Sequence, residues 1–236
     1  MDRVLIVTGA SRDPGIGSAV AKQAAEQGWK VIVNGRSAPE WQHNNVQFVP
    51  GDITEEFTQQ MLINSAIDEW SRIDAIVHNA ALTNSVTPPA GRDWMEEYAI
   101  NVVAPYQLTE KAKSWLTASR GAVVMVGSRS GVRPNPQNSI AYSVSKSAMH
   151  YLAKELAARF APIRVNAVAP GLTLSARQLD KWESPRWKAD VLKNWEENSL
   201  LPGFVEVSQV AESVLYLLNA KNTTGVVLDV DNGVNL

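Results

Sequence analysis

The 236-residue chain contains no cysteine. That absence excludes disulfides, thiolate metal sites and a cysteine nucleophile, and a reducing, cytoplasmic setting is expected. Histidine is scarce too, with three scattered residues, and no metal site is predicted. Charge of one sign is also missing: 22 Lys and Arg against 24 Asp and Glu give a net charge of −2. Without a basic excess, neither nucleic acid nor an anionic membrane is an expected partner. No apolar run approaches the roughly 20 residues of a transmembrane helix. The chain enters an apolar strand at Val4, which leaves no room for a signal peptide. Internal repeats, low-complexity tracts and domain linkers are lacking as well. One large domain with a sizeable core fits this length.

What is present is alternation. Residues 4–8, 31–33, 46–49, 73–77, 122–126, 163–168 and 226–230 read as buried strands. Residues 18–27, 55–71, 94–116, 139–160 and 207–218 read as helices. Residues 41–45 are polar, so little helix fits between the second and third strands, and Pro88-Pro89 breaks the chain before the long helix. This pattern predicts an α/β fold: a Rossmann-type, doubly wound, parallel seven-stranded sheet in a single domain, 1–236. Residues 172–204 interrupt the alternation and are predicted to form a lid over the substrate. Ligands of such sheets sit beyond the carboxyl ends of the strands. Thr8, Asn34, Asp52, Asn79, Ser128 and Pro170 all fall at such ends.

The first strand runs into T-G-A-S-R-D-P-G-I-G at 8–17, then an Ala-rich helix closed by Gly28. Strand, glycine-rich turn, helix and strand make the dinucleotide-binding unit. Gly9 permits the tight turn, Gly15 lets backbone approach the pyrophosphate, and Gly17 lets helix pack closely on strand. The helix N-terminus offers amides and positive dipole to phosphate. Asn34-Gly35-Arg36 ends the second strand without the acid that would hold a ribose 2′-hydroxyl. Arg36, joined by Arg12, suits a 2′-phosphate instead, so NADP(H) is the predicted cofactor. The plainer alternative is two ordinary surface arginines. Asp52 either accepts from the adenine amino group or caps the helix beginning near Thr54. Asn79-Ala80-Ala81 would let the cofactor lie close, and His78 reads as structural.

Tyr142 and Lys146 are four residues apart, so on a helix they share a face. A cation so near favours the phenolate and fits the Tyr to exchange a proton. Ser128 ends a buried strand and can bring a second hydroxyl beside the phenol, an arrangement suited to a carbonyl oxygen that gains negative charge. Alone, this spacing is equally that of a solvated helix face with a packed Tyr. Asn101, within an apolar helical stretch, competes with backbone hydrogen bonds and calls for a structural or functional reason.

Together these motifs resemble the short-chain dehydrogenase/reductase family, the single-domain type that includes β-ketoacyl carrier-protein reductases. The resemblance spans nearly the whole chain. It rests on T-G-x5-G-I-G at 8–17, N-A-A at 79–81, Asn101, Ser128, Y-S-V-S-K at 142–146, V-N-A-V-A-P-G at 165–171 and D-N-G at 231–233. It implies NAD(P)-dependent hydride transfer on a small-molecule carbonyl or alcohol, bulky or carrier-bound. Asn101, Ser128, Tyr142 and Lys146 would be the catalytic set. Tyr142 would give or take the proton, and Ser128 would polarise the carbonyl. Lys146 would favour the phenolate and bind nicotinamide ribose hydroxyls, and Asn101 would support a water linking Lys146 to solvent. Pro170, Gly171 and Thr173 would line the nicotinamide end; Ser11, Ile16 and Ile53 complete the predicted cofactor contacts. Three departures stand out. The glycine loop carries two extra residues, Asp13-Pro14, and an Asp near pyrophosphate is repulsive unless it points away. Ser128 and Tyr142 are one residue further apart than usual, which leaves Ser130 a weaker candidate. His78-Asn79-Ala80-Ala81 replaces N-N-A-G.

Rival readings are an enoyl reductase, whose Tyr and Lys are typically more widely spaced, and a catalytically idle NADP-binding regulator on the same fold. A serine hydrolase is excluded, because Arg129 stands at the nucleophile position of a G-x-S-x-G elbow. Trp187, Val191 and Trp195 form a helical stripe that is either lid packing or, with Trp182, an aromatic wall for an apolar substrate. Arg129 and Arg133 flank the site and either hold an anionic group or lie on the surface. Apolar residues beyond one stripe on helices 94–116 and 139–160, together with the resemblance, predict a homodimer or homotetramer.

Overall fold

The computed structural model describes residues 2–82, 92–136, 138–181, 185–234 and 236. Seven strands form one parallel sheet: β1 (Val4–Val7), β2 (Lys30–Gly35), β3 (Val46–Pro50), β4 (Ala75–His78), β5 (Ala122–Val126), β6 (Arg164–Pro170) and β7 (Val227–Val230). Their order is β3-β2-β1-β4-β5-β6-β7, so the winding reverses between β1 and β4. The doubly wound α/β fold expected from the alternation is the fold observed.

Strand side chains alternate between two cores. Leu5, Val7, Val31, Val33, Ala75, Val77, Ala122 and Val124 face one side. They meet Val20, Ala21 and Ala24 of α1 (Ile16–Glu26) and Val210, Val214 and Leu217 of α9 (Val207–Asn219). Val4, Ile6, Ile32, Ile76, Val123 and Met125 face the other. There they meet α2 (Glu56–Trp70), α4 (Ala104–Lys111), α5 (Lys113–Ser119) and α6 (Ile140–Arg159). Burial on both faces explains the apolar runs of the inner strands, while β3 and β7 at the sheet edges are only partly buried.

The helix expected at 94–116 is divided. α3 (Arg92–Tyr98) passes through a π-helical turn, Ala99–Val103, into α4, and Ala112 separates α4 from α5. π-turns concentrate at functional sites, and this one holds Asn101. Pro88-Pro89 lies outside the described residues. In 172–204 the chain forms α7 (Ala176–Lys181) and α8 (Pro185–Asn198). Trp182 lies outside the described residues, as does the side chain of Trp187.

In-register pairing brings the strand ends level: Val7 sits beside Val33 and Val77, and Val126 beside Val168. Side chains then tie neighbouring ends together. Thr8 Oγ1 accepts from the amides of Asn79 and Ala80, both at 3.1 Å, and Asn79 Nδ2 donates to Thr8 O and Gly9 O. Asn34 Nδ2 donates to Val49 O and Gly51 O.

Candidate active site

One cleft of about 400 Å³ runs along these strand ends. At one end lies the glycine loop. Gly9 has φ +64°, and a Cβ there would meet the backbone of Ala80. A Cβ on Gly15 would strike Arg12 O at 2.5 Å. These are positions where only bare backbone fits. The amides of the first turn of α1 lack intrahelical partners and are free for an anion. Gly17 does not line the cleft; it lies under the loop, where a Cβ would collide with Asn79 Nδ2 and approach Gly9 O. That is the close packing for which its glycine was read.

The extra Asp13 points away from the cradle. Its carboxylate takes a hydrogen bond from Ser18 Oγ at 2.9 Å and pairs with Lys22 Nζ at 2.7 Å. The Lys22 hydrogen bond holds the carboxyl below its ordinary pKa. Ser18 Oγ also accepts from Gly15 N–H, so the longer loop is clamped on the outer side of α1.

Further along lie Ser11, Arg12, Ile16, Asn34, Arg36, Asp52, Ile53, Asn79 and Ala80, all predicted and all lining the cleft. A Cβ on Gly35 would stand 2.5 Å from Ser11 Oγ. An acidic side chain therefore cannot occupy that position unless Ser11 moves, while the exposed Arg12 and Arg36 flank it. Asp52 Oδ1 accepts from Thr54 N and Thr54 Oγ1 at 2.9 and 2.8 Å, which makes an Asx turn. The N-cap of α2 is Glu55, so Asp52 shapes the approach to that helix and does not cap it.

At the other end the groups expected to do chemistry converge. Ser139 is the N-cap of α6, and its Oγ accepts from Tyr142 N at 3.1 Å. Tyr142 is thereby fixed in the first turn. Lys146 follows one turn later and is 1% exposed. Burying an ammonium costs several kcal/mol unless it is well partnered. Its Nζ donates to Val126 O at 2.7 Å, approaches Met149 Sδ at 3.6 Å, and lies 5.8 Å from the centre of the Tyr142 ring. Ser128 Oγ accepts from Ser130 N at 3.2 Å. Among the described residues, the hydroxyl protons of Ser128 and Tyr142 have no acceptor, and both groups line the cleft. Pro170, Gly171 and Thr173 line it as well.

Asn101 is fully buried behind the cleft. Its amide donates to Leu82 O at 3.0 Å and Ser145 Oγ at 2.9 Å and accepts from Leu82 N at 3.0 Å. Ser145 Oγ in turn donates to Tyr142 O at 2.8 Å. The Asn thus ties the end of β4 to the helix that carries Tyr142.

Sequence reasoning missed His150, one turn beyond Lys146. Its Nε2 accepts from Ser128 N at 3.4 Å, and the ring fills the space a side chain on Gly127 would need. Burial and the Lys146 charge push it down to about 4, so it is neutral. Its only sequence signal was its helical register with Lys146. His78 is structural, as read: it is buried, bonded to Thr109 Oγ1 at 2.8 Å, and pushed down to about 3 by desolvation. Trp195 is 2% exposed and donates Nε1 to Gly203 O at 2.9 Å; its ring packs on Gly171 and also lines the cleft. Trp195 packs as the first reading of the stripe expects.

A family described as enoyl-(acyl carrier protein) reductase matches residues 9–235. The chain belongs to the short-chain dehydrogenase/reductase family. Its members are oxidoreductases, and β-ketoacyl reductases are among its relatives. A protein assigned to the granaticin polyketide synthase of Streptomyces violaceoruber as ketoacyl reductase 2 is 34% identical, over 99% of this chain and 96% of its own. Carbonyl reductase family member 4 of Xenopus laevis is 32% identical over 100% and 99%. Among solved structures, ElxO with NADP bound superposes with a TM-score of 0.86 at 25% identity, over 99% of each chain.

Proposed function

We propose that this family member is an NADPH-dependent carbonyl reductase, a ketoreductase or alcohol dehydrogenase, with Tyr142 as the general acid and base. The observation that carries this reading is the pair of hydroxyls, Ser128 and Tyr142, whose protons have no acceptor among the described residues, in the same cleft as the glycine cradle. Two O–H donors aimed into one space suit an oxygen that gains charge as carbon receives hydride.

The cleft fits a dinucleotide, because its glycine positions leave room only for bare backbone. The crowding of Gly35 by Ser11 and the flanking Arg12 and Arg36 support NADP(H) over NAD(H). When bound, the cofactor would supply or accept the hydride. Ser128 donates to the carbonyl oxygen and holds it. Tyr142 passes its proton to that oxygen, and the buried Lys146 cation stabilises the phenolate left behind. Asn101 positions α6 through Ser145. Residues 172–204 would cover the substrate, and 1–236 would work as one domain in the cytoplasm.

The family description names an enoyl reductase. The four-residue Tyr142–Lys146 spacing favours carbonyl over alkene reduction. Initial rates with NADPH and NADH against ketones, aldehydes and a 2-enoyl thioester test all of this. Carbonyl reduction preferring NADPH is expected, and Arg36→Ala should raise the NADPH KM far more than the NADH KM. Equal kinetics with the two cofactors would refute the NADP(H) assignment. Turnover of the enoyl substrate alone would refute the carbonyl assignment, and turnover of nothing would favour a regulator.

A further inference from the structure

The substrate end of the cleft is rich in hydrogen-bond donors. Ser130 Oγ already accepts from Asn138 Nδ2 at 2.8 Å and Asn135 Nδ2 at 3.2 Å, so what remains to it is its proton. Ser130 lines the cleft.

Arg129 lies between Ser128 and Ser130 in the chain. Its side chain is half-buried in the cleft wall, with the guanidinium 5.9 Å from the centre of the Trp195 ring. Among the described residues it makes no hydrogen bond and no ion pair. Burial lowers its pKa and the charge of Asp231 opposes that shift, yet the group stays cationic. Asp231 turns Oδ1 to Gly233 N–H at 3.0 Å. A desolvated cation with its planar donors idle is costly. A carboxylate or phosphate oxygen pair is the acceptor whose geometry matches it.

We infer that the substrate is a carbonyl compound bearing an anionic oxygen group, a carboxylate or phosphate, that docks on Arg129, with Ser130 beside it in the chain as a neutral donor. The inference rests on the carbonyl-reductase reading and names its substrate class. Arg129 is the residue next to Ser128, with their Cα atoms about 3.8 Å apart. A purely aliphatic substrate would leave these donors unsatisfied.

The test compares kcat/KM with NADPH for 2-, 3- and 4-oxo acids and their methyl esters, and for glyceraldehyde 3-phosphate and glyceraldehyde. At least one anionic member should exceed its neutral partner by about 10-fold or more, the usual worth of a charge-assisted hydrogen bond. The winning pair tells carboxylate from phosphate. Arg129→Gln should bring that ratio to about 1. Arg129→Lys, which keeps the charge but loses the fork, should retain part of it. Arg133→Gln should retain all of it, since Arg133 donates to Leu236 O on the exposed surface. Neutral members matching or beating every anionic partner would overturn the inference, as would an anion preference that survives Arg129→Gln. If nothing in the panel turns over, the carbonyl reading fails and calorimetry of the NADPH-bound protein decides the subsite. Binding of acetoacetate or glyceraldehyde 3-phosphate to wild type and not to Arg129→Gln supports it; binding to neither refutes it.

Discussion

Tyr142 occupies the third position of α6, pinned by the cap at Ser139, and its hydroxyl opens on the cleft. Tyr142→Phe keeps the ring and its packing, so the fold should survive. The expected loss in kcat is roughly 10²–10⁴-fold, with NADPH affinity retained in a fluorescence titration. Ser128→Ala should cost less, about 10²–10³-fold. Lys146→Met should damage both kcat and cofactor affinity, because the roles proposed for its ammonium cover both. Near-wild-type turnover by Tyr142→Phe would move the acid to Ser128 or to water. This pair was legible because four residues on one helix fix two side chains relative to each other. His150 was not, since its hold on Ser128 spans 22 residues of chain and depends on a glycine at 127. Nor did the sequence reveal where Asp13 points; Ser18 and Lys22, one turn apart on α1, decide that.

At the scale of elements, every strand was legible: the inner ones as apolar runs buried on both sheet faces, the edge strands β3 and β7 as short, only partly buried apolar runs. The π-turn at Ala99–Val103 was not, since no periodicity distinguishes one extra residue inside a helix. A strand and a helix carry a shared pH dependence, through His78 of β4 and His150 of α6. His78 faces Thr109 of α4, and His150 of α6 lies beneath Ser128, both neutral. Folding lowers them from 6.5 to about 3 and about 4. Between those values and 6.5 the unfolded chain binds more protons than the folded one, so stability is complete above about pH 6.5 and declines as pH falls. Urea denaturation should show about 2–3 kcal/mol less stability at pH 5.5 than at 7.5, with unchanged m. His78→Gln should remove about half of that difference. An equal loss in wild type and variant would mean that His78 is not the group titrating.

For the whole molecule, α6 has a second face. Ile140, Val144 and Tyr151 are 74%, 40% and 63% exposed at helical spacing, and Trp94, Val103, Tyr106 and Trp115 on α3 to α5 are also exposed. Apolar surface of this kind marks association. Light scattering at micromolar concentration should give a dimer or tetramer mass, and Val144→Glu with Tyr151→Glu should lower it; a monomeric wild type would contradict this. The sheet that carries the site has a separate consequence, because among the described residues it divides the interior into two cores with no shared helix. Damage on one side should therefore be invisible to the other. Leu62→Ala and Leu217→Ala, on opposite sides, should each cost about 2–5 kcal/mol. In a double-mutant cycle their sum should hold within about 0.5 kcal/mol. A larger coupling would mean that the strands pass strain through the wall they form.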